Sequence, residues 1–480
     1  MHQTKLVQIL SRFEKNEIKQ FEVFLASPYF NTSDKILNFY RILVQYYPTF
    51  DSPKLDKEKI YQELHKKPGF NVQTMRELSS DLFKLAKEYI SQQQMKDKNI
   101  EANYQRHLWL VDRGLRKMTE QELALRNEML DNYSLHCNDY YYQRWMADYN
   151  EFSHKTTALW DREHKIETKE GEHPIHALNR YYVVSFFESY IFLTGLSKIY
   201  NKEVDQSLAI HIVALAERYI GQGDLLIDIY YNIYQLLYTR EEKYYFELKS
   251  IFLRDDRSVP LEIRLEVSIN LENYCLQSIR NGNLKFQYEI MEIFHFVIEH
   301  GIMLQNGEVS HRFYQNVVTN GVDVGEIDWV ETFMEKYRDQ IALEFRESVY
   351  DYCMAYILFA NRKFEEALRI TTAVGVFNEF TKIDIKNLTA RIHYELGMFD
   401  QLNTLLESYP YHLKSEVMTA SRRENHSLFF SFMKQLVSLK QRYSVGGWEK
   451  INTDINQTLT FTNKPWFQQK MAEMKPAHQV

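Results

Sequence analysis

The chain has 480 residues and a formal net charge of −7, with only 15 Gly and 9 Pro. This length suits two or three domains or one elongated array of repeats, and the scarcity of helix breakers favours helix almost throughout. The cysteines Cys137, Cys275 and Cys353 are far apart and odd in number, which excludes a disulfide framework and indicates a reducing compartment.

No segment of the sequence predicts membrane contact. The amino terminus lacks the apolar core of a signal peptide. The most apolar run, residues 181–196, contains Glu188 and is too short to span a bilayer comfortably. We therefore expect a soluble, cytoplasmic protein.

Charge is unevenly distributed along the chain. Residues 1–100 carry 16 Lys and Arg against 12 Asp and Glu, and residues 411–480 carry 10 against 5, so the middle is strongly acidic. Because an acidic surface repels phosphate backbones, nucleic acid is expected only at either end of the chain. The net negative charge of the middle of the chain also predicts that a protein partner of this region is basic.

The first hundred residues predict a helical domain. Apolar residues recur at helical spacing over residues 4–47, and a short helix over 56–65 is followed by the turn residue Gly69. A long helix follows, whose apolar stripe consists of Met75, Leu78, Leu82, Leu85 and Tyr89.

This order is the outline of a DNA-binding helix-turn-helix. The start of its recognition helix would present Asn71, Gln73, Thr74 and Arg76. Against this reading, Glu77 and Asp81 lie on the exposed part of the helix, where phosphates would be close. Any helical bundle has the same outline, so plain packing or partner docking is favoured over DNA contact.

Residues 92–106 are polar and predict an exposed helix or hinge, which places a first boundary near residue 100. Thr119 and Glu122 have the order of a capping box and predict a helix start. A long aromatic helical tract is expected from there to Trp160. We divide the chain into an N-terminal helical domain (1–100), an irregular helical-repeat region (101–345), and repeats with C-terminal capping helices (346–480).

The segment 161–176 concentrates side chains that can bind metals. Imidazole and carboxylate groups suit zinc, and the segment contains Glu163, His164, Glu167, Glu170, Glu172, His173 and His176. The spacing matches no metal motif, and Lys165 and Lys169 are interspersed, so a charged surface loop is the favoured reading. Pro174 predicts the start of the next helix.

From residue 181 onward, helices of about 15 to 20 residues alternate with short polar breaks. One break, Gly221 to Gly223, lacks the third glycine and the preceding strand of a nucleotide-binding loop. His295 and His300 are five residues apart, on different faces of a helix, and are interpreted as packing residues. The tail from Lys464 predicts a capping helix.

A repeat of 35 residues is clearest between residues 350 and 410. Ala355 recurs as Ala390, and Phe364 recurs as Phe399. Each copy contains two apolar stripes around a polar break, which predicts a helical hairpin that must stack on its neighbours. Trp329 lies 35 residues before Phe364, and Phe286 lies 43 residues before Trp329, so diverged copies extend upstream.

This arrangement resembles the tetratricopeptide repeat over residues 348–415. The matching positions are the small residues Ala355, Ala390 and Ala367, the turn glycine Gly397, and the aromatic residues that open the second helices. Leu402 replaces the second alanine, and no Trp lies near either repeat start. The resemblance implies an all-α fold, an α-solenoid of antiparallel helical hairpins, preceded here by the N-terminal helical domain.

The sequence contains no catalytic signature, neither GxSxG nor a phosphate-binding loop, and we expect no cofactor and no enzymatic activity. The resemblance implies a non-enzymatic scaffold or adaptor that binds a protein or peptide in the cytoplasm. The alternative is a regulator whose N-terminal helices contact nucleic acid while the repeats sense a partner or ligand. The residues that would bind the partner cannot be assigned from the sequence.

Overall fold

The computed structural model describes residues 4–50, 55–97, 99–133, 138–159, 168–200, 202, 204–207, 209–254, 259–373, 379–415 and 420–475. Over these residues the fold is all-α, as predicted, apart from one two-stranded hairpin. The chain divides into two compact units, Met1–Asn132 and Tyr133–Val480. The sequence-based boundaries at residues 100 and 345 stay predictions. Among the described helices, none combines the length and the continuous hydrophobicity that crossing a bilayer requires.

Within its described residues, the first unit comprises seven helices. They are α1 (Lys5–Leu10), α2 (Lys15–Ala26), α3 (Asp34–Val44), α4 (Lys57–His65), α5 (Val72–Asp97), α6 (Asn99–Asp112) and α7 (Arg116–Asp131). Helix α5 packs against α1, α2 and α3 because its apolar stripe is continuous, and Met75, Leu82 and Tyr89 are buried on it. The predicted stripe is confirmed, with Leu85 only partly buried.

Aromatic rings fill the core of the first unit. Phe21 is fully buried, and its ring lies 5.1 Å from the rings of Tyr40 and Tyr89. Both tyrosines satisfy their hydroxyls inside the core, since Tyr40 donates to the carbonyl of Ile18 (2.6 Å) and Tyr89 to the side chain of Gln20 (3.2 Å). Buried aromatic rings with a bonded hydroxyl fix the packing of these helices.

Two predictions for residues 116–160 are wrong. Helix α7 begins at Arg116, and the Thr119 hydroxyl donates to the carbonyl of Leu115 (3.1 Å), so Thr119 lies inside the first turn and is not a cap. Because the Thr119 hydroxyl donates to a carbonyl of the preceding turn, it does not cap a backbone N–H at the helix start. The predicted continuous tract is interrupted as well, since α7 ends at Asp131 and α8 begins at Asn138.

The second unit contains the remaining helices. They are α8 (Asn138–Leu159), α9 (Glu172–Tyr200), α10 (Ala209–Ala216), α11 (Leu225–Tyr238), α12 (Glu242–Phe252), α13 (Leu261–Arg280), α14 (Phe286–Glu299), α15 (His311–Val324), α16 (Ile327–Tyr337), α17 (Leu343–Ala360), α18 (Phe364–Ala373), α19 (Glu379–Glu395), α20 (Phe399–Ser415), α21 (Ala420–Gln441), α22 (Val445–Gln457) and α23 (Lys464–Glu473). Short 3₁₀ turns cover Thr168–Gly171 and Arg338–Gln340.

Helices of this unit pack on their neighbours in sequence and on the next helix but one. Consecutive helices from α11 to α15 and from α17 to α22 contact each other, while α11 also contacts α9 and α13, and α17 contacts α15 and α19. Each helix from α11 to α22 therefore has partners close by in the chain. We refer below to odd-numbered and even-numbered helices of this unit.

Small residues and aromatic residues occupy the predicted positions of the hairpins. Ala355 on α17 and Ala367 on α18 are fully buried where these helices meet, as is Ala390 on α19. Phe364 and Phe399 are the first residues of α18 and α20. Phe286 opens α14 in the same way, so the aromatic residue marks a helix start in each of these hairpins.

A β-hairpin lies between α14 and α15, where the sequence predicts helix alone. Strands β1 (Leu304–Gln305) and β2 (Glu308–Val309) pair antiparallel around Asn306 and Gly307. Both turn residues have positive φ (51° and 82°), the conformation that two-residue hairpin turns need and that Asn-Gly favours. This insertion lengthens the interval between Phe286 and Trp329.

The predicted C-terminal capping helix is α23. Its Trp466 and Phe467 are buried in a core shared with α19 to α22. Glu395, at the end of α19, accepts from the indole of Trp466 (2.9 Å) and from Lys470 Nζ (2.8 Å). Because Lys470 is only 4% exposed, this ion pair holds α23 on the preceding hairpins.

Candidate functional site

Three arginines from different odd-numbered helices influence one another on one surface of the second unit. Arg280 lies in the last turn of α13, Arg312 is the second residue of α15, and Arg422 is in the first turn of α21. The macrodipole disfavours cations at helix N-termini, where Arg312 and Arg422 lie. We define the cationic face as the surface formed by Arg280, Arg312, Asp323, Asp384, Arg391 and Arg422.

The arginines of the cationic face differ in exposure, since Arg391 is buried and Arg422 is partly buried. Burial lowers the pKa of Arg280 and of Arg312, and the charge of Arg422 lowers both further, while Asp384 opposes the shift of Arg280. Both side chains are nevertheless exposed to solvent. Arg280 and Arg312 thus lie at the surface, with other protein groups close to their charges.

A buried polar network supports the face from below. His426 on α21 is 3% exposed, and its Nδ1 lies 3.1 Å from Nδ2 of Asn387 on α19. The hydroxyl of Tyr409 on α20 donates to the side-chain oxygen of Asn387. Burial lowers the pKa of His426 to about 4, with Arg422 and Arg280 adding to the shift and Asp384 opposing it. His426 is therefore neutral at pH 7 and adds no charge to the face.

A second network connects three odd-numbered helices. The hydroxyl of Tyr356 on α17 donates to Asp323 Oδ1 on α15 (2.9 Å), and the Arg391 guanidinium on α19 lies over the rings of Tyr356 (5.5 Å) and Phe359 (4.6 Å). Burial raises the pKa of Asp323 to about 6, although Tyr356 and Arg391 oppose the shift. Arg391 is 5% exposed, and its Nε has no hydrogen-bond partner among the described residues.

A separate cavity of about 670 Å³ lies where α8, α9 and the turn before α11 meet. We call it the α8–α9 cavity. It is lined by Tyr140, Tyr141, Arg144, Asp148, His173, His176, Ala177, Arg180, Arg218, Tyr219, Gln222, Gly223 and Asp224. Gly221 and Gly223 in the turn have positive φ (70° and 89°), which lets the chain reverse beside the cavity.

Both carboxylates of the cavity are bound to neighbouring side chains. Asp148 lies 2.9 Å from Nη2 of Arg144, and Asp224 lies 3.4 Å from Nε of Arg180. The hydroxyl of Tyr141 donates to Asp224, which also caps α11. Burial raises the pKa of Asp148, and Arg144 opposes this shift. The acidic groups thus hold the walls together.

The structure places only part of the predicted metal-binding segment. Glu163, His164 and Glu167 lie outside the described residues, and Glu172, His173 and His176 belong to the first turns of α9. His176 Nδ1 lies 3.0 Å from the hydroxyl of Tyr219, so this histidine contacts a phenol. Within the described residues, no group of three His, Cys, Asp or Glu side chains could hold a metal ion. Pro174 lies in the first turn of α9, as predicted.

The helix-turn-helix outline is present in α4 and α5, but its polar residues have local roles. Asn71 accepts from the backbone N–H of Thr74 (3.0 Å) and so caps α5. Gln73 donates to Glu77 (2.8 Å), and Asp81 pairs with Lys84 (2.9 Å). The polar side chains of α5 thus bond to groups of the same helix, which favours plain packing over DNA contact.

The two histidines of α14 make the contacts expected of packing residues. His295 Nε2 lies 3.0 Å from Glu326, and its ring lies 4.3 Å from that of Trp329. His300 Nδ1 lies 2.9 Å from the carbonyl of Phe296 and stacks on its ring.

Sequence reasoning missed both the cationic face and the α8–α9 cavity. The arginines of the face are far apart in the chain and belong to no motif, but Arg312 and Arg422 break the charge preference of helix N-termini, and that signal could have been read from the sequence. No protein-family model matches the chain, and neither a curated protein nor a solved structure matches it.

Proposed function

We propose that this chain is a non-enzymatic, tetratricopeptide-like repeat protein of the cytoplasm that binds an acidic, extended segment of a partner protein on the cationic face. The packing of the helices supports the repeat reading, because α11 contacts α9 and α13, and α17 contacts α15 and α19. Such surfaces hold extended or helical segments through aromatic and polar side chains.

The observation that carries this proposal is the gathering of Arg280, Arg312 and Arg422 from three helices. Arg422 pairs with Asp384 (3.2 Å), yet its charge still lowers the pKa of Arg280 and of Arg312, so the arginines repel one another. An incoming carboxylate would relieve the repulsion and would gain charge-assisted, bidentate hydrogen bonds from a guanidinium. The cluster therefore favours an anionic partner.

The local charge of this surface differs from the average charge of the region. The acidic middle of the chain predicts a basic partner, whereas the cationic face has four arginines against two aspartates. Binding depends on the charge at the contact more than on the sum over a region. We therefore propose an acidic segment in place of the basic one that composition suggests.

The test measures binding of two labelled peptides to the full-length protein at low salt. One peptide is rich in Glu and the other is rich in Lys. We expect the Glu-rich peptide to bind, and the double variant Arg280→Glu/Arg422→Glu to weaken it by more than about tenfold. The matched control is Arg369→Glu, an exposed arginine on the even-numbered helix α18.

Equal affinity of wild type and double variant for the Glu-rich peptide would refute the proposal, as would preferential binding of the Lys-rich peptide. The regulator hypothesis is tested on the same protein with duplex DNA at several salt concentrations. Contact through phosphates requires an affinity that falls steeply with salt, so a slope near zero eliminates it.

A further inference from the structure

The α8–α9 cavity offers a second place where the protein can bind a ligand, independent of the cationic face. Its volume of about 670 Å³ falls within the range of small-molecule sites, and all of its lining residues belong to the second unit. Tyr140, Tyr141 and Tyr219 contribute aromatic surface to the lining. A planar ring is the ligand group that such walls contact best.

The lining of the cavity offers hydrogen-bond donors to a ligand, because its acceptor carboxylates are already paired. Asp148 and Asp224 are each held by an arginine. Arg218 is exposed, and its guanidinium forms no ion pair within the described part of the chain. A guanidinium has five donors and no acceptor, so Arg218 can bind an anionic ligand without losing a structural contact.

His176 is oriented to add a further donor. The Tyr219 hydroxyl accepts from Asn179 Nδ2 (3.1 Å) and lies 3.0 Å from His176 Nδ1. The hydroxyl proton is satisfied when it points to Nδ1, and the neutral imidazole then carries its proton on Nε2. In that arrangement Nε2 of His176 is a donor on the lining of the cavity.

The charge of the lining agrees with these donors. The lining has three arginines, Arg144, Arg180 and Arg218, against two carboxylates, which leaves an excess of positive charge. A neutral or cationic ligand would leave this excess uncompensated, whereas a monoanion balances it.

We infer that the α8–α9 cavity binds a small organic anion, whose aromatic ring lies against the tyrosines and whose carboxylate or phosphate group binds Arg218. The shared chemistry is one anionic group on a planar ring. Carboxylate and phosphate differ in charge and geometry, and the experiment distinguishes them by using one probe of each kind.

The experiment is calorimetric titration of the full-length protein with four probes. Adenosine monophosphate and indole-3-acetate are aromatic anions with a phosphate and a carboxylate, adenosine is a neutral ring, and inorganic phosphate is an anion without a ring. We expect at least one aromatic anion to bind with a Kd below about 1 mM and more tightly than adenosine or inorganic phosphate. The variant Arg218→Gln should weaken that anion by about tenfold or more.

The matched control is Arg442→Gln, an exposed arginine beyond the end of α21 that does not line the cavity. Its affinity for the anion should equal that of the wild type. The inference is overturned if neither aromatic anion binds, if adenosine binds as tightly as its monophosphate, or if Arg218→Gln binds like the wild type. Loss of binding in Arg422→Gln would place the anion on the cationic face and would also overturn it.

Discussion

Both the odd-numbered and the even-numbered helices of the second unit carry charges that reach from one hairpin to the next. Between even-numbered helices, Lys249 on α12 pairs with Glu289 (2.5 Å) and Glu292 (2.6 Å) on α14, and His295 on α14 contacts Glu326, which precedes α16. On the cationic face, Arg280, Arg312 and Arg422 gather instead. The first arrangement joins neighbouring hairpins with paired charges, whereas the second gathers three arginines, of which Arg422 lies 3.2 Å from Asp384.

This contrast follows from how each group is solvated. Burial opposes the charged form of Lys249, but hydrogen bonds to Glu289 and Glu292 outweigh it and raise its pKa. For Arg280, burial lowers the pKa, and Arg422 adds to the shift. The two carboxylates raise the pKa of Lys249, whereas burial and Arg422 lower the pKa of Arg280 against the effect of Asp384.

The largest expected effect is that of removing the buried ammonium between α12 and α14. Lys249→Met keeps an unbranched side chain that is one atom shorter but leaves Glu289 and Glu292 without their cation, so we expect the free energy of unfolding to fall by about 3 kcal/mol. Denaturant titration at pH 7 measures it. The control, Lys243→Met, removes an exposed lysine that pairs with Glu241 and should leave stability near the wild-type value. If Lys249→Met lost no more stability than Lys243→Met, the ion pairs of Lys249 would not hold α12 and α14 together.

A smaller effect is expected from acid. The pKa of His426 is about 4 in the folded chain, below the ordinary value of 6.5. Between pH 4 and pH 6.5 this histidine is therefore protonated in the unfolded chain and neutral in the folded chain. This contribution to stability is full above pH 6.5 and is lost as the pH falls toward 4. Between pH 7 and pH 5 it amounts to about 2 kcal/mol.

The measurement is the difference in unfolding free energy between pH 7 and pH 5, for wild type and for His426→Asn. Asparagine keeps an acceptor near the position of Nδ1 and has no titrating group, so its loss between the two pH values should be smaller by that amount. An identical pH dependence in both proteins would show that folding does not lower the pKa of His426.

The smallest effect is expected on the face itself. Arg280→Gln removes one of several like charges, so the free energy of unfolding should stay within about 0.5 kcal/mol of the wild type or rise. Binding of the Glu-rich peptide should weaken in the same protein. A loss of stability above about 1 kcal/mol would assign Arg280 a structural role and would erase the contrast between the two sets of helices.

The local periodicity of the sequence predicts much of this fold. The buried stripe of Val349, Tyr352, Cys353 and Tyr356 was readable because residues three and four apart share a helix face. Phe364 and Phe399 marked helix starts. The β-hairpin at Asn306–Gly307 was missed, because two-residue strands carry no periodic signal.

The sites were less predictable than the helices. His173 and His176 stood out as residue types, but the sequence could not show that Tyr219, 43 residues beyond His176, is the partner of that imidazole. Arg280 and Arg422 come together only through the stacking of several hairpins. Charge patterns at helix termini are readable locally, whereas concave surfaces depend on contacts between distant segments.

The attachment of α23 has a mechanical consequence. Helices that pack on their near neighbours can be peeled away one hairpin at a time when the ends of a chain are pulled. Here Trp466 and Lys470 of α23 bind Glu395 of α19. This contact links α23 to a helix that precedes it by three intervening helices, α20, α21 and α22. Force applied at the C-terminus must therefore break this buried attachment first, after which the helices beneath it would yield at lower load.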